Sequence, residues 1–156
     1  MSQGVLRYKR SHFVTQLPMD CQYSPSHCWL RPQTDGIWQV GLTKFATRML
    51  GDIVDHGFER DPITPVALGQ VVGWIEGFKA ISDLFCVLEG TFLESNPGLK
   101  GAVSLVGEDC YHRGWLYQVR GTPDPHCVDV HGYREILDRT IDRMMEKQKA
   151  EESSTS

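Results

Sequence analysis

Ile75-Glu76-Gly77-Phe78-Lys79-Ala80-Ile81-Ser82-Asp83 is the stretch on which the reading of this chain turns. Before it, Val71-Val72-Gly73-Trp74-Ile75 has the β-branched and aromatic content of a strand, and Leu84-Phe85-Cys86-Val87-Leu88 after it reads the same way. Two such runs around a short segment with small residues at Gly77 and Ala80 predict a hairpin with Lys79 at its tip. A lysine held out on a tight turn can enter the active site of a modifying enzyme and be acylated on its ε-amine, which replaces a charge by a neutral amide. A lysine at a hairpin tip also serves simply as a solvated turn residue that keeps an edge soluble, and the local pattern does not choose between the two.

Outward from the hairpin, Gln22 to Val119 reads as short strands punctuated by glycine and proline, without internal repeats. Thr43 followed by Lys44-Phe45-Ala46-Thr47-Arg48-Met49-Leu50 and then Gly51 supplies a cap, an amphipathic turn or two and a glycine stop, hence one short helix. Val130, Tyr133, Leu137, Ile141 and Met144 recur at helical spacing and predict a second helix over about 130–147. Its apolar stripe needs a surface, on its own domain or on a partner. The chain divides into a polar N-terminal extension (1–20), a β core (21–120), a linker with the C-terminal helix (121–149) and a disordered tail (150–156).

Composition narrows the function classes. The 156 residues are 40% hydrophobic and 23% charged, enough for one domain with a modest core. A formal net charge of -4 and a pI near 5.8 give no basic footprint for nucleic acid. No apolar run is long enough to cross a bilayer and the first residues lack a signal peptide's apolar centre, so no membrane association and a cytoplasmic location are expected. The five cysteines, Cys21, Cys28, Cys86, Cys110 and Cys127, include no C-x-x-C pair and read as reduced thiols. Asp124, His126, Cys127, Asp129 and His131 crowd together, but Pro123 and Pro125 make that stretch a loop, and no metal is expected. His27, in a strand beside Trp29, is expected to be structural. No catalytic arrangement of serine, histidine and aspartate and no phosphate-cradling loop is present, so the chain is not expected to be an enzyme.

Tyr23, His27 and Trp29, then Asp35-Gly36, Val40-Gly41-Leu42-Thr43 and Leu50-Gly51-Asp52-Ile53-Val54, together resemble the Y-x-x-x-H-x-W opening and the DG, VGIT and LGDIV segments of the glycine cleavage H-protein family of lipoyl carriers. Its lysine motif ESVKAVSD stands here as EGFKAISD. The resemblance continues in register through Asn96, Leu99, Glu108-Asp109, Tyr111 and Gly114-Trp115-Leu116. It implies a mainly β, lipoyl-type barrel-sandwich hybrid of two small antiparallel sheets, with a short internal helix and a C-terminal amphipathic helix. It further implies lipoate covalently bound to Lys79, and Glu76 as a recognition point for the lipoate-attaching enzyme. Biotin carriers share the architecture, but their lysine usually lies between methionines, whereas Lys79 lies between Phe78 and Ala80.

Departures from the family pattern bear on the cargo. The family's H-E-W is His27-Cys28-Trp29, its S-P after the hairpin is Cys86-Val87, and its D-P-Y-G is Asp109-Cys110-Tyr111-His112; Asp55 to Val66 replaces its L-P-x-V-G segment. In these cysteines, and in Asp129-Val130-His131-Gly132-Tyr133, the chain resembles the lipoate-binding proteins of the heterodisulfide-reductase-like sulfur-oxidation system. That resemblance implies an arm carrying sulfur-bound intermediates to such a complex, with Cys86 and Cys110 as thiol partners of the opened dithiolane or else as small packing residues. The alternative is the glycine-cleavage role, carrying an aminomethyl group between glycine decarboxylase and aminomethyltransferase, with dihydrolipoamide dehydrogenase reoxidising the arm. A third reading is an unmodified interaction module that keeps the fold.

Overall fold

The computed structural model describes residues 4–154. Eleven strands run in the order β1 (Val5–Arg10), β2 (Phe13–Pro18), β3 (Gln22–Tyr23), β4 (Cys28–Pro32), β5 (Ile37–Leu42), β6 (Ile53–Phe58), β7 (Thr64–Val66), β8 (Val71–Gly77), β9 (Ile81–Phe85), β10 (Leu88–Ser95) and β11 (Tyr117–Pro123). Three α-helices join them: α1 (Lys44–Leu50), α2 (Leu105–Glu108) and α3 (Val130–Ser154). A six-stranded antiparallel sheet, ordered β3-β4-β5-β11-β10-β7, faces a three-stranded sheet, β6-β8-β9, and β1-β2 forms a separate hairpin. The expected sandwich of two antiparallel sheets is present, with one small sheet added.

The connection between β4 and β5 shows how a sequence signal becomes geometry. Asp35 and Gly36 both have positive φ, 58° and 72°, the conformation of the tight turn whose twist matches that of the flanking strands. That turn sets the register Pro32↔Trp38 through Cys28↔Leu42. Alternation then sends Leu30 and Val40 inward and Trp29 to the opposite face.

Two cores result. The first joins Leu30, Val40, Phe92 and Tyr117 of the large sheet to Val72, Ile75 and Leu84 of the small one. The segment that departs from the family pattern is packed into it: Phe58 meets the rings of Phe92 and Tyr117 at 6.2 and 6.3 Å. Gly57 makes room for Trp74 across the strand pair, since a Cβ there would lie 2.6 Å from the indole nitrogen.

The second core lies on the other face, where Trp29 and Tyr23 meet Phe45 of α1, Tyr8 and Leu17 of the β1-β2 hairpin, and Val130, Tyr133, Leu137 and Ile141 of α3. Residues 4–20 are therefore a packed hairpin rather than a polar extension, because Tyr8 and Leu17 bury themselves against the helix. Residues 1–3 lie outside the described part. The hairpin is tied to α3 by Tyr8 Oη donating to Asp138 (2.7 Å) and by a two-pronged pair of Arg10 with Asp142, 2.8 Å at each prong. The helix starts where its spacing predicts and covers its own domain, but it continues through Ser154, so 150–154, expected to be disordered, are helical. Residues 155–156 lie outside the described part. Beyond Ile141 every described residue of α3 is exposed, including Met144.

Candidate functional site

Helix α1 and the β8-β9 hairpin together build the lysine site. Thr43 caps α1, its side chain accepting from the Ala46 amide, and Gly51 ends it at φ 79°, a left-handed value that glycine adopts without strain. The chain leaving α1 offers two carbonyls, which the hairpin tip takes up: Lys79 N–H donates to Leu50 at 2.8 Å and Phe78 N–H to Asp52 at 3.0 Å. Gly77 N–H closes the turn onto the Ala80 carbonyl at 2.9 Å. Gly77 must lack a side chain, since a Cβ there would sit 2.1 Å from the Leu50 oxygen. The stem of Lys79 lies across Gly51, where a Cβ would come within 2.9 Å of Lys79 Cγ.

The backbone of Lys79 is thus fixed on both sides while its side chain is exposed and makes no hydrogen bond or ion pair among the described residues. Phe78 and Ile81 flank it with large apolar side chains, 80% and 66% exposed. The β9 strand ends at Phe85, shorter than the sequence suggests. Cys86 then turns away, its N–H donating to the Gln70 carbonyl and its own carbonyl accepting from Gly69 N–H, both at 2.8 Å.

Two depressions adjoin this tip. One, of about 710 Å³, is lined by Lys79 itself with Lys44, Arg48, Asp52 and Glu108, and is charged. The other, of about 320 Å³, runs along Ser82 to Phe85, with Leu42, Phe45, Met49 and Leu50 as apolar walls and Ser26, His27 and Asp83 among its polar lining.

His27 has φ 72°, and its Nδ1 lies 2.8 Å from the Tyr133 hydroxyl, which lies 2.8 Å from Thr43 Oγ1. Burial removes water from the ring and lowers its pKa to about 4, so it is neutral at pH 7. The sequence places each of these three residues in its own element. Their convergence depends on α3 docking beside α1, which no local signal reveals.

Glu76, three residues before Lys79, pairs across the strand with Asp55 and has no ion pair among the described residues. The cysteines separate from the lysine site. Cys86 is 2% exposed, its thiol donating to the Leu88 carbonyl at 3.1 Å, and Cys110 is 6% exposed. Burial raises both thiols, Cys110 to about 11, so neither presents a thiolate. The expectation that they partner an opened dithiolane is corrected to packing, because a swinging arm meets solvent-facing groups and these thiols are enclosed. Cys28 is likewise buried, its thiol raised to about 11. In the 124–131 stretch Asp124 accepts from the His126 amide and ring, and no group of three metal-ligating side chains occurs among the described residues. No helix of the described residues is long and apolar enough to cross a membrane.

A two-sheet β sandwich that holds one exposed lysine on a backbone-anchored hairpin tip defines a carrier domain of the swinging-arm class, a non-catalytic component that other enzymes load and unload. Residues 21–137 match the family model of the glycine cleavage H-protein, and the chain belongs to that family. It is 30% identical over 128 residues to the glycine cleavage system H protein of Shewanella frigidimarina, spanning 80% of this chain and 98% of that one. The H protein of Alteromonas mediterranea shows the same identity and coverage. The crystal structure of a glycine cleavage system H protein from Mycobacterium marinum superposes with a TM-score of 0.67 at 30% identity, covering 75% of this chain and 95% of that one. Proteins of this family carry lipoate covalently on a lysine. These matches overturn the sulfur-oxidation reading: the family model and each relative named here are glycine cleavage H proteins, and the cysteines that suggested sulfur cargo are packed inside.

Proposed function

We propose that this chain is the lipoyl carrier of a glycine cleavage system, with lipoate in amide linkage to Lys79. What supports this most is the state of Lys79: its backbone is held by the Leu50 carbonyl while its amine is exposed and free of any ion pair among the described residues. Such a lysine reaches a modifying enzyme without first breaking contacts of its own, and after acylation the fixed backbone gives the arm a defined pivot. When bound, lipoate supplies a disulfide that opens to take an aminomethyl group from glycine decarboxylase and give it up to aminomethyltransferase, with reoxidation by dihydrolipoamide dehydrogenase.

The chain's own residues position and shelter the arm. The groove along Ser82 to Phe85 has apolar walls suited to a hydrocarbon chain and lies on the same hairpin as Lys79. Glu76 serves recognition by the lipoate-attaching enzyme. In favour of this, Asp55 and Glu76 face one another across the strands, a like-charge pair that costs stability and that no described cation relieves. Five free cysteines and a formal net charge of -4 fit a carrier of the cytoplasm.

The test is the intact mass of the full chain after incubation with a lipoate-attaching enzyme and lipoate, then with glycine and a pyridoxal-phosphate glycine decarboxylase. Lipoyl and then aminomethyl mass on the Lys79 peptide is expected, and none on Lys79→Arg. A chain that takes no lipoyl group, or takes it without the aminomethyl gain, overturns the reading.

A further inference from the structure

The buried hydroxyls beside His27 fix where its proton sits. Thr43 is fully buried, and its hydroxyl oxygen already accepts from the Ala46 amide. Among the described residues the one acceptor within reach of its proton is the Tyr133 hydroxyl, 2.8 Å away. If Tyr133 instead donated to Thr43, the threonine proton would be buried without a partner, an arrangement that costs free energy and is avoided in folded proteins. The chain of donors therefore runs Thr43 to Tyr133 to His27 Nδ1. With Nδ1 accepting, a neutral imidazole carries its proton on Nε2.

Nε2–H has no protein partner among the described residues, yet no unpartnered side-chain nitrogen or oxygen is buried. It therefore opens to solvent, and the depression that His27 lines is the groove along Ser82 to Phe85. The ring is wedged there, 4.7 Å from the Phe45 ring and 5.7 Å from that of Tyr133, so the donor direction is fixed. A left-handed backbone at a residue that is not glycine, held by packing, is the kind of local strain that persists where surrounding structure over-determines it.

We propose that His27 is an arm-positioning residue: its Nε2–H, fixed by the Thr43–Tyr133 relay, donates to a sulfur of the reduced lipoyl group when the arm lies in the groove. This rests on the lipoyl-Lys79 reading. The groove walls Leu42, Phe45, Met49 and Phe85 offer a hydrocarbon chain no hydrogen bonds. Of the polar groups in the lining, the Ser82 hydroxyl donates to the Asp83 carbonyl, the Ser26 hydroxyl pairs with Ser24 and the Asp83 carboxylate only accepts, so among the described residues the His27 Nε2–H is the donor left without a protein partner and registers the polar end of the arm. A neutral ring does this without repelling an aminomethyl group, which is a cation when protonated; an imidazolium in its place would.

Two-bond proton–nitrogen correlation spectra of the nitrogen-15-labelled full chain test this directly. In the unmodified protein His27 is expected as the Nε2–H tautomer, and Tyr133→Phe is expected to give a mixture. On the reduced lipoylated protein the Nε2 nitrogen and proton shift, while Lys79→Arg put through the same lipoylation reaction shows no shift. As a second readout, iodoacetamide alkylation of the reduced lipoyl thiols is expected to be about fivefold faster in His27→Ala. His27→Asn, which keeps an N–H donor and tolerates a left-handed backbone, should restore part of the protection. An Nδ1–H tautomer, or His27 signals unmoved on a chain whose mass shows full lipoylation, overturns this inference alone. Absence of lipoyl on Lys79 overturns the functional reading and this one together.

Discussion

The backbone N–H of Lys79 donates to the carbonyl of Leu50 at 2.8 Å, joining the tip of a hairpin to the end of a helix 29 positions earlier in the chain. A two-stranded tip standing alone is marginal in water and samples many conformations. Here the last turn of α1 leaves unpaired carbonyls, as every helix end does, and the hairpin supplies the donor for the one at Leu50. The same hydrogen bond pins the lysine, so its side chain extends from a backbone tied to the helix end.

The contact depends on Gly77 having no side chain. Gly77→Ala places a methyl group in collision with the Leu50 oxygen, 2.1 Å from the ideal Cβ position, and backbone cannot yield as a flexible side chain can. A loss of about 1–3 kcal/mol in urea unfolding is expected. Lipoylation should slow as well, because the tip no longer docks. Lys79→Arg makes the opposite separation: no lipoyl mass, with a denaturation midpoint within about 0.5 kcal/mol of the parent chain. Equal lipoylation rates for Gly77→Ala and the parent would show that anchoring the tip is irrelevant to the modifying enzyme.

The N-terminal hairpin and the far end of α3 lie outside residues 21–137, the part that matches the family model, and they hold each other. Tyr8 is 4% exposed and its hydroxyl meets the Asp138 carboxylate at 2.7 Å. Tyr8→Phe keeps the ring and removes a hydrogen bond to a charged group, so about 1–2 kcal/mol of destabilisation is expected. Leu137→Ala, in the same cluster and fully buried, should cost about 2–5 kcal/mol. Amide exchange would locate both effects: faster exchange in β1, β2 and α3, with the β8-β9 hairpin unchanged. Exchange that quickens uniformly would mean the two cores unfold as one unit.

The thiols provide an independent check on the placement of the cysteines. Cys21, Cys28, Cys86 and Cys110 are buried and their thiols raised, whereas Cys127 is only partly buried, though its thiol too is pushed up, to about 12. At neutral pH a thiol reagent is expected to modify Cys127 first and the other four only on unfolding. Rapid labelling of Cys86 or Cys110 in the native chain would contradict their enclosure.

Much of the lysine site was legible because it is local. The cap at Thr43, the stop at Gly51 and the small residues around Lys79 each act within a few positions, and the helix and hairpin stand where those signals put them. The N-terminal hairpin lacks a local turn signal, although Leu6 and Tyr8, then Phe13, Thr15 and Leu17, alternate at the strand period. Its connection, Ser11-His12, contains neither glycine nor asparagine, and Ser11 takes φ 56° regardless, so the usual turn signal is missing. The cysteines misled for a different reason. Their types and positions are visible in sequence, but whether a thiol faces an arm or a core is set by which strand face it occupies, and Cys86 lies just beyond the end of β9, where alternation no longer applies.

The depressed pKa of His27 makes stability depend on pH in a window that can be named. Burial holds the native ring near a pKa of about 4 against 6.5 for the free side chain. Between those values the unfolded chain binds a proton at His27 that the native chain does not, so acid favours unfolding. The contribution is complete above pH 6.5, declines as pH falls and is gone below about 4, amounting to roughly 3 kcal/mol as an upper bound. His56, also lowered by burial, adds in the same direction. Asp124 and Asp142, lowered chiefly by their hydrogen bonds to His126 and Arg10, lose their contributions only below the ordinary carboxylate range, which separates them from the histidines. Urea midpoints measured from pH 7.5 down to 4.5 should therefore fall for the parent chain. His27→Asn, less stable at pH 7 but unable to titrate, should give a flatter line. Parallel slopes in the two proteins would mean that His27 takes up its proton alike in the native and unfolded chains, so that burial does not hold the native ring neutral.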